Sequence, residues 1–236
     1  MKTIVFVGGS GGLGPACVRL AVERGFKPVI GYLRQQDRAN ALAKEVQAPA
    51  IGGDIAEEAA RMRLIEAARA AGELYGLVVL SGDPARVPLE SASMEDIVNS
   101  NRSNFAAPVL MARDFAAAIG ERDGSIVLTS TMQGVGVFPG STVYAAPKAA
   151  LIHAAKIMAK QWKLRVNVVA PGVNNAGMAE KSVQSGKYDP FLERGTIPRF
   201  GKPEDVARAI LFLLEPDNYV TGQVLTVDGG LSLKGL

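Results

Sequence analysis

The stretch from Phe6 to Gly25, FVGGSGGLGPACVRLAVERG, limits what this chain can fold into more than any other. Thr3 to Val7 form an apolar run of strand character that breaks into glycines. The chain then leaves as a helix, with apolar residues at Ala16, Cys17, Leu20 and Ala21. A phosphate-binding strand-turn-helix is written in this way. Gly8, Gly12 and Gly14 keep the spacing GxxxGxG, with Ser10, Gly11 and Leu13 between them. Such glycines turn the chain out of the strand, let a pyrophosphate approach the backbone and pack helix on strand, with helix N–H groups toward the anion. A glycine-rich turn that binds nothing is the alternative for this motif taken alone.

The rest of the chain alternates strand and helix patterns, so it is expected to form a parallel sheet with helices on both faces and a ligand crevice at the carboxyl ends of the strands. Its 236 residues suit a single α/β domain over 1–236. A chain of that size buries roughly 70% or more of its unfolded surface. The 26 basic and 23 acidic residues are scattered, which gives no reason to expect nucleic acid as a partner. One cysteine, Cys17, and one histidine, His153, allow neither an internal disulfide nor a Cys/His zinc cage, so no metal is expected. No apolar run reaches the ~18 residues of a membrane helix and no signal-peptide pattern opens the chain, so a soluble, cytoplasmic protein is expected.

Further along, Lys27 to Leu33 reads as a second strand. About 20 residues beyond the glycines, where an acid would hold an adenosine ribose, the chain has Tyr32, Leu33 and Arg34. A carboxylate repels a 2′-phosphate, whereas a guanidinium pairs with it in a forked contact, so NADP is favoured over NAD. Arg34 as a solvated charge at a strand end is the alternative. Asp54 and Ile55 follow a third strand, where Asp54 could also cap the helix at Glu57 to Ala71. Tyr144 and Lys148 sit four apart on a helical pattern and therefore share a face.

With this glycine spacing, Asn101 in IVNSNRSNF, Thr131 thirteen residues before Tyr144-Ala-Ala-Pro-Lys148, and Pro171-Gly172, the chain resembles the short-chain dehydrogenase/reductase family, especially 3-oxoacyl-acyl-carrier-protein-reductase-like members, over residues 1 to about 230. The resemblance implies a doubly wound Rossmann-type sheet of seven parallel strands in the order 3-2-1-4-5-6-7. It implies catalysis by Asn101, Thr131, Tyr144 and Lys148, with Asn99 and Asn104 close enough in sequence to compete for the first role and Ser130 for the second. Cofactor contacts are implied for Gly8, Ser10, Gly11, Gly12, Leu13, Gly14, Tyr32, Arg34, Asp54, Ile55, Ser81, Gly82, Tyr144, Lys148, Pro171, Gly172 and Val173. Residues 174–199 suit a mobile substrate lid.

The expected function is NADP(H)-linked hydride transfer between nicotinamide and a small carbonyl or secondary alcohol, with Tyr144 as general acid/base. Near neutrality Tyr144 would need the positive charges of Lys148 and oxidised nicotinamide to lower its pKa. Departures from the family pattern at Val7, Val79, Leu80, Thr131 and Ala176 motivate the alternative of a catalytically impaired regulatory or scaffold protein of the same fold. Alanine-rich helices and the family's habit imply a homotetramer, with a dimer as fallback because the helix after Lys148 is about one turn short.

Overall fold

The computed structural model describes residues 1–234, so the last two residues of the expected domain lie outside it. Seven strands form one parallel sheet in the order β3-β2-β1-β4-β5-β6-β7, as the sequence led us to expect. They are β1 (Lys2–Val7), β2 (Lys27–Tyr32), β3 (Ala50–Gly52), β4 (Glu73–Val79), β5 (Ser125–Thr129), β6 (Arg165–Pro171) and β7 (Val224–Val227). The helices are α1 (Gly14–Glu23), α2 (Gln36–Val46), α3 (Glu58–Ala71), α4 (Met94–Asn101), α5 (Ala107–Ile119), α6 (Met132–Val135), α7 (Thr142–Gln161), α8 (Glu180–Gln184), α9 (Asp189–Glu193) and α10 (Pro203–Leu214). No helix among the described residues is long and apolar enough to cross a membrane.

Alternation along each strand divides the core in two, because successive side chains point to opposite faces. Val5, Val7, Leu77, Val79, Ile126 and Leu128 face α3, α5 and α7. Ile4, Phe6, Ile30, Val78, Val127 and Val169 face α1, α2 and α10. Strands apolar on both faces need helices on both, which is why nearly every residue of β1, β4 and β5 is buried. Of the three aliphatics at positions where the family pattern carries polar groups, Val7 and Val79 are part of the first of these cores and Leu80 packs against the second.

A smaller cluster of Met132, Val173, Ile197 and Leu231 packs under residues 174–200, with Phe138, Tyr188, Phe191 and Phe200 against it. This segment is anchored where α10 begins. Asp205 accepts from both outer nitrogens of Arg199 at 2.6 and 3.0 Å, from Arg208 and from the Lys202 N–H at 2.9 Å. The Arg199 guanidinium, above all, holds the Asp205 carboxyl at about 2. A depressed pKa stabilises the fold above the unfolded value of ~3.9 and loses that contribution as pH falls through the folded one. Asp205→Asn is therefore expected to lower the thermal midpoint at pH 7, and the gap from the parent should close between about pH 4 and pH 2.

Candidate active site

The carboxyl ends of β1, β2, β4, β5 and β6 open onto a cleft of about 1560 Å³. That exceeds the ~300–1,000 Å³ of an ordinary small-molecule site and leaves room for a dinucleotide and a second ligand. At one end lies the glycine turn. A Cβ on Gly14 would fall 2.4 Å from the Gly9 carbonyl oxygen, so only glycine lets α1 start against the strand. The N–H groups of Ser10, Gly12 and Leu13 make no hydrogen bond among the described residues, and Pro15 has none to offer. Three free donors at the start of a ten-residue helix are an anion cradle.

The adjoining wall carries Tyr32, Arg34, Arg38, Asp54, Ile55 and Arg102. Arg34 is exposed and pairs with no side chain among the described residues. Asp54 does not cap α3, whose first flanking residue is Glu57. Its carboxylate instead accepts from the Ala56 N–H at 2.9 Å and meets Arg102 at 3.1 Å, while Arg102 also reaches Glu57 at 3.2 Å.

At the centre of the sheet the cleft narrows onto Thr131, Tyr144 and Lys148. Thr131, extended and first in line before α6, turns its hydroxyl toward that of Tyr144. Ser130 points the other way, donating to the Lys148 carbonyl at 2.9 Å, so its hydroxyl is committed to the helix backbone. Lys148 is 2% exposed, and its ammonium donates to the Thr129 carbonyl at 2.9 Å. Burial pulls its pKa down to about 8. Burial also pushes the Tyr144 hydroxyl up to about 12; Thr131 opposes this and Asp83, at the mouth of the cleft, adds to it. The Tyr144 hydroxyl is therefore protonated at neutral pH.

The expected role of Asn101 needs correction. Asn101 is exposed, and its amide bonds back to the Ile97 carbonyl at 2.9 Å on its own helix. The helical run from Met94 to Ile119 is interrupted by a π turn over Arg102–Ala106, the kind of irregularity often found at functional sites. The turn rotates Asn104 inward until it is fully buried. Its oxygen accepts from the Asp83 N–H at 3.0 Å and its nitrogen donates to the Asp83 carbonyl at 2.9 Å, bracing the loop after β4. A Cβ on Gly82 would lie 2.9 Å from the Asn104 oxygen and 3.2 Å from the Lys148 nitrogen. Asn104, not Asn101, therefore sits beside Lys148.

Across the cleft, Pro171, Gly172 and Val173 leave β6, and Asn174 forms a parallel bridge with Gly201. The bridge engages the Val173 carbonyl and the Asn175 N–H, so the N–H and C=O of Asn174 itself turn to the opposite side, unpaired among the described residues. Sequence reasoning missed Asn174, because its contribution is main-chain. Beyond it, Gly177 lies on the glycine turn: a Cβ there would come 2.9 Å from the Gly12 Cα. Arg86 donates to the Met178 carbonyl, tying this edge of the 174–199 segment to the loop after β4.

Comparison with known proteins agrees with this geometry. A family model described as enoyl-(acyl carrier protein) reductase matches residues 8–232. The chain is 30% identical to a 3-oxoacyl-[acyl-carrier-protein] reductase of Thermotoga maritima, covering 98% of this chain and 97% of that one. It is 34% identical to a 3-oxoacyl-[acyl-carrier-protein] reductase of Bos taurus, covering 98% of each. Among solved structures, a 3-hydroxyacyl-CoA dehydrogenase type-2 from Mycobacterium avium is 28% identical with a TM-score of 0.85, over 98% of this chain and 96% of that one. An actinorhodin polyketide ketoreductase with NADPH shares the fold at a TM-score of 0.90 and 21% identity, over 98% and 97% of the two chains. The fold agrees with the matched structures, and the chain belongs to the short-chain dehydrogenase/reductase family of oxidoreductases.

Proposed function

We propose that the protein is an NADPH-linked carbonyl reductase, able to run in reverse on secondary alcohols, with Tyr144 as the general acid. The observation that carries this reading is the half-buried Tyr144 among the buried Thr131, Lys148 and Asn104, in a cleft that continues into the glycine turn. A regulatory protein would have no need of a tyrosine held protonated beside a second hydroxyl.

The cleft fits the cofactor. The free N–H groups of Ser10, Gly12 and Leu13 would take its pyrophosphate, with Gly8, Gly11 and Gly14 shaping the turn. The Ser81 hydroxyl is buried with no partner among the described residues, and Gly82 beside it keeps the ribose side open. Tyr32, Asp54 and Ile55 would border the adenosine, and Arg34 its 2′-phosphate. The unpaired main chain of Asn174, together with Pro171, Gly172 and Val173, suits the carboxamide of a nicotinamide. When bound, the nicotinamide supplies or accepts the hydride.

In reduction the Tyr144 hydroxyl gives its proton to the substrate oxygen, while Thr131 donates a second hydrogen bond to that oxygen. Lys148, with its ammonium charged below about pH 8, holds the ribose. Positioned proton transfer of this kind contributes ~10²- to 10⁴-fold. The substrate is a small carbonyl or alcohol bounded by Met132, Gln133 and the 174–199 segment, which acts as the lid of a single catalytic domain.

Oxidation of NADPH by a panel of ketones and 3-oxo esters tests the reading, and a protein that binds NADPH yet reduces none of them would overturn it. Thr131→Val keeps the shape and removes the donor. It should lower kcat with little change in cofactor affinity, and should be the more damaging change if compared with Ser130→Ala. The assembly is a homotetramer, with a dimer as the smaller alternative. Met94, Val98 and Ile157 on α4 and α7, and Phe212 and Tyr219 near β7, are exposed apolar residues on two separate faces. Light scattering should return a particle of two or four 24.8 kDa chains, and a single chain at micromolar concentration would refute both.

A further inference from the structure

Pro147 stands one residue before Lys148 and at the sixth position of α7, past the first turn where proline is harmless. Its ring nitrogen carries no hydrogen. The carbonyl four residues back, that of Val143, is therefore deprived of its helical partner, and Val143 is the residue immediately before Tyr144. A buried carbonyl left unpaired costs roughly 1–3 kcal/mol and invites the turn to shift or admit water.

Another element supplies the missing hydrogen bond. Ser100, 2% exposed in the last turn of α4, donates its hydroxyl to the Val143 carbonyl at 2.6 Å. The same oxygen accepts from the Asn104 amide at 3.1 Å. Asn104 in turn grips both main-chain groups of Asp83. One continuous chain of hydrogen bonds thus runs from the loop after β4, through Asn104 and Ser100, to the helical turn that carries Tyr144. Serine is a mediocre helix former whose hydroxyl usually bonds back to its own helix. Here it reaches across to a neighbouring helix.

We infer that Ser100 is a positioning residue: it restores the hydrogen bond that Pro147 deletes and so fixes the Tyr144 turn against Asn104. The inference rests on the oxidoreductase reading for its catalytic consequence, since misplacing an acid by about 1 Å can cost up to ~10² in rate. The pin itself does not depend on turnover.

A double-mutant cycle tests it. Pro147→Ala returns an N–H to position 147, giving the Val143 carbonyl an intrahelical partner, so that of the two bonds of the Ser100 hydroxyl only the one from the Asn104 amide is still needed. In the parent, Ser100→Ala should lower kcat about tenfold with the KM for NADPH changed less than about twofold. In the Pro147→Ala background the same change should alter kcat less than about twofold. Ser100→Thr, which keeps the hydroxyl, should retain activity above that of Ser100→Ala. Equal damage from Ser100→Ala in both backgrounds, or none in the parent, overturns the inference. Thermal midpoints of the same four proteins read the pin without any substrate: Ser100→Ala should lower the midpoint more where Pro147 is present than where it is replaced. Should the parent reduce no carbonyl, the functional reading falls while the thermal cycle still decides the pin. If Ser100→Ala alone fails to fold, recovery of folded protein on adding Pro147→Ala supports the inference and continued failure overturns it.

Discussion

Replacing Tyr144 by Phe is expected to lower carbonyl reduction by at least ~10²-fold while NADPH binding persists, because the change removes the proton donor and keeps the ring. The Tyr144 hydroxyl is raised to about 12, chiefly by burial, so at neutral pH it is fully protonated and ready to donate. Reduction should accordingly show no loss of the acid as pH rises through neutrality. The limiting group is Lys148. Its pKa lies near 8 because burial disfavours the ammonium, so the charge that would hold the cofactor ribose is lost as pH climbs through that value. The KM for NADPH should rise above about pH 8, and Lys148→Ala should raise it at every pH and abolish that dependence. Initial rates of the three proteins from pH 6 to pH 10 check both statements. Near-normal turnover by Tyr144→Phe at neutral pH would mean that another group delivers the proton, and the mechanism would fall.

Arg34→Ala is expected to shrink the preference for NADPH over NADH by about 1–3 kcal/mol, the range for a hydrogen bond to a charged group. Arg34 is exposed on the cleft wall at the end of β2 and is bound to no side chain among the described residues, so its guanidinium is available to a 2′-phosphate. Arg102 lines the same wall but is already paired with Asp54 and Glu57. Its removal should leave the NADPH-to-NADH ratio almost unchanged, which makes Arg102→Ala the control for loss of general positive charge. Fluorescence titration of both cofactors against the three proteins measures the gap. Equal affinities in the unmutated protein would defeat the assignment of Arg34.

The strand order was implied by the family resemblance, while the glycine turn was legible in the sequence itself because it is local in origin. Apolar strands bounded by glycines, alternating with amphipathic helices, admit few topologies once crossovers are right-handed. GxxxGxG and the four-residue spacing of Tyr144 and Lys148 act within one element each, so spacing alone puts their groups on one side. The family spacing to Tyr144 put Thr131 ahead of Ser130, and the Ser130 hydroxyl is committed to the Lys148 carbonyl.

Other features had to wait for the tertiary structure. Three asparagines within six residues, Asn99, Asn101 and Asn104, look alike on paper; the π turn at Arg102–Ala106 alone decides that Asn104 is the buried one. Such a turn is stabilised by packing against α7 and by the Asp83 main chain, contacts far apart in sequence. The rise of the Tyr144 pKa likewise depends on burial, which belongs to the folded chain as a whole. Pro147 shows the division most plainly. The sequence by itself determined that the Val143 carbonyl would lose its helical partner, because proline has no N–H to give; only the tertiary structure decided that Ser100, on another helix, would replace it.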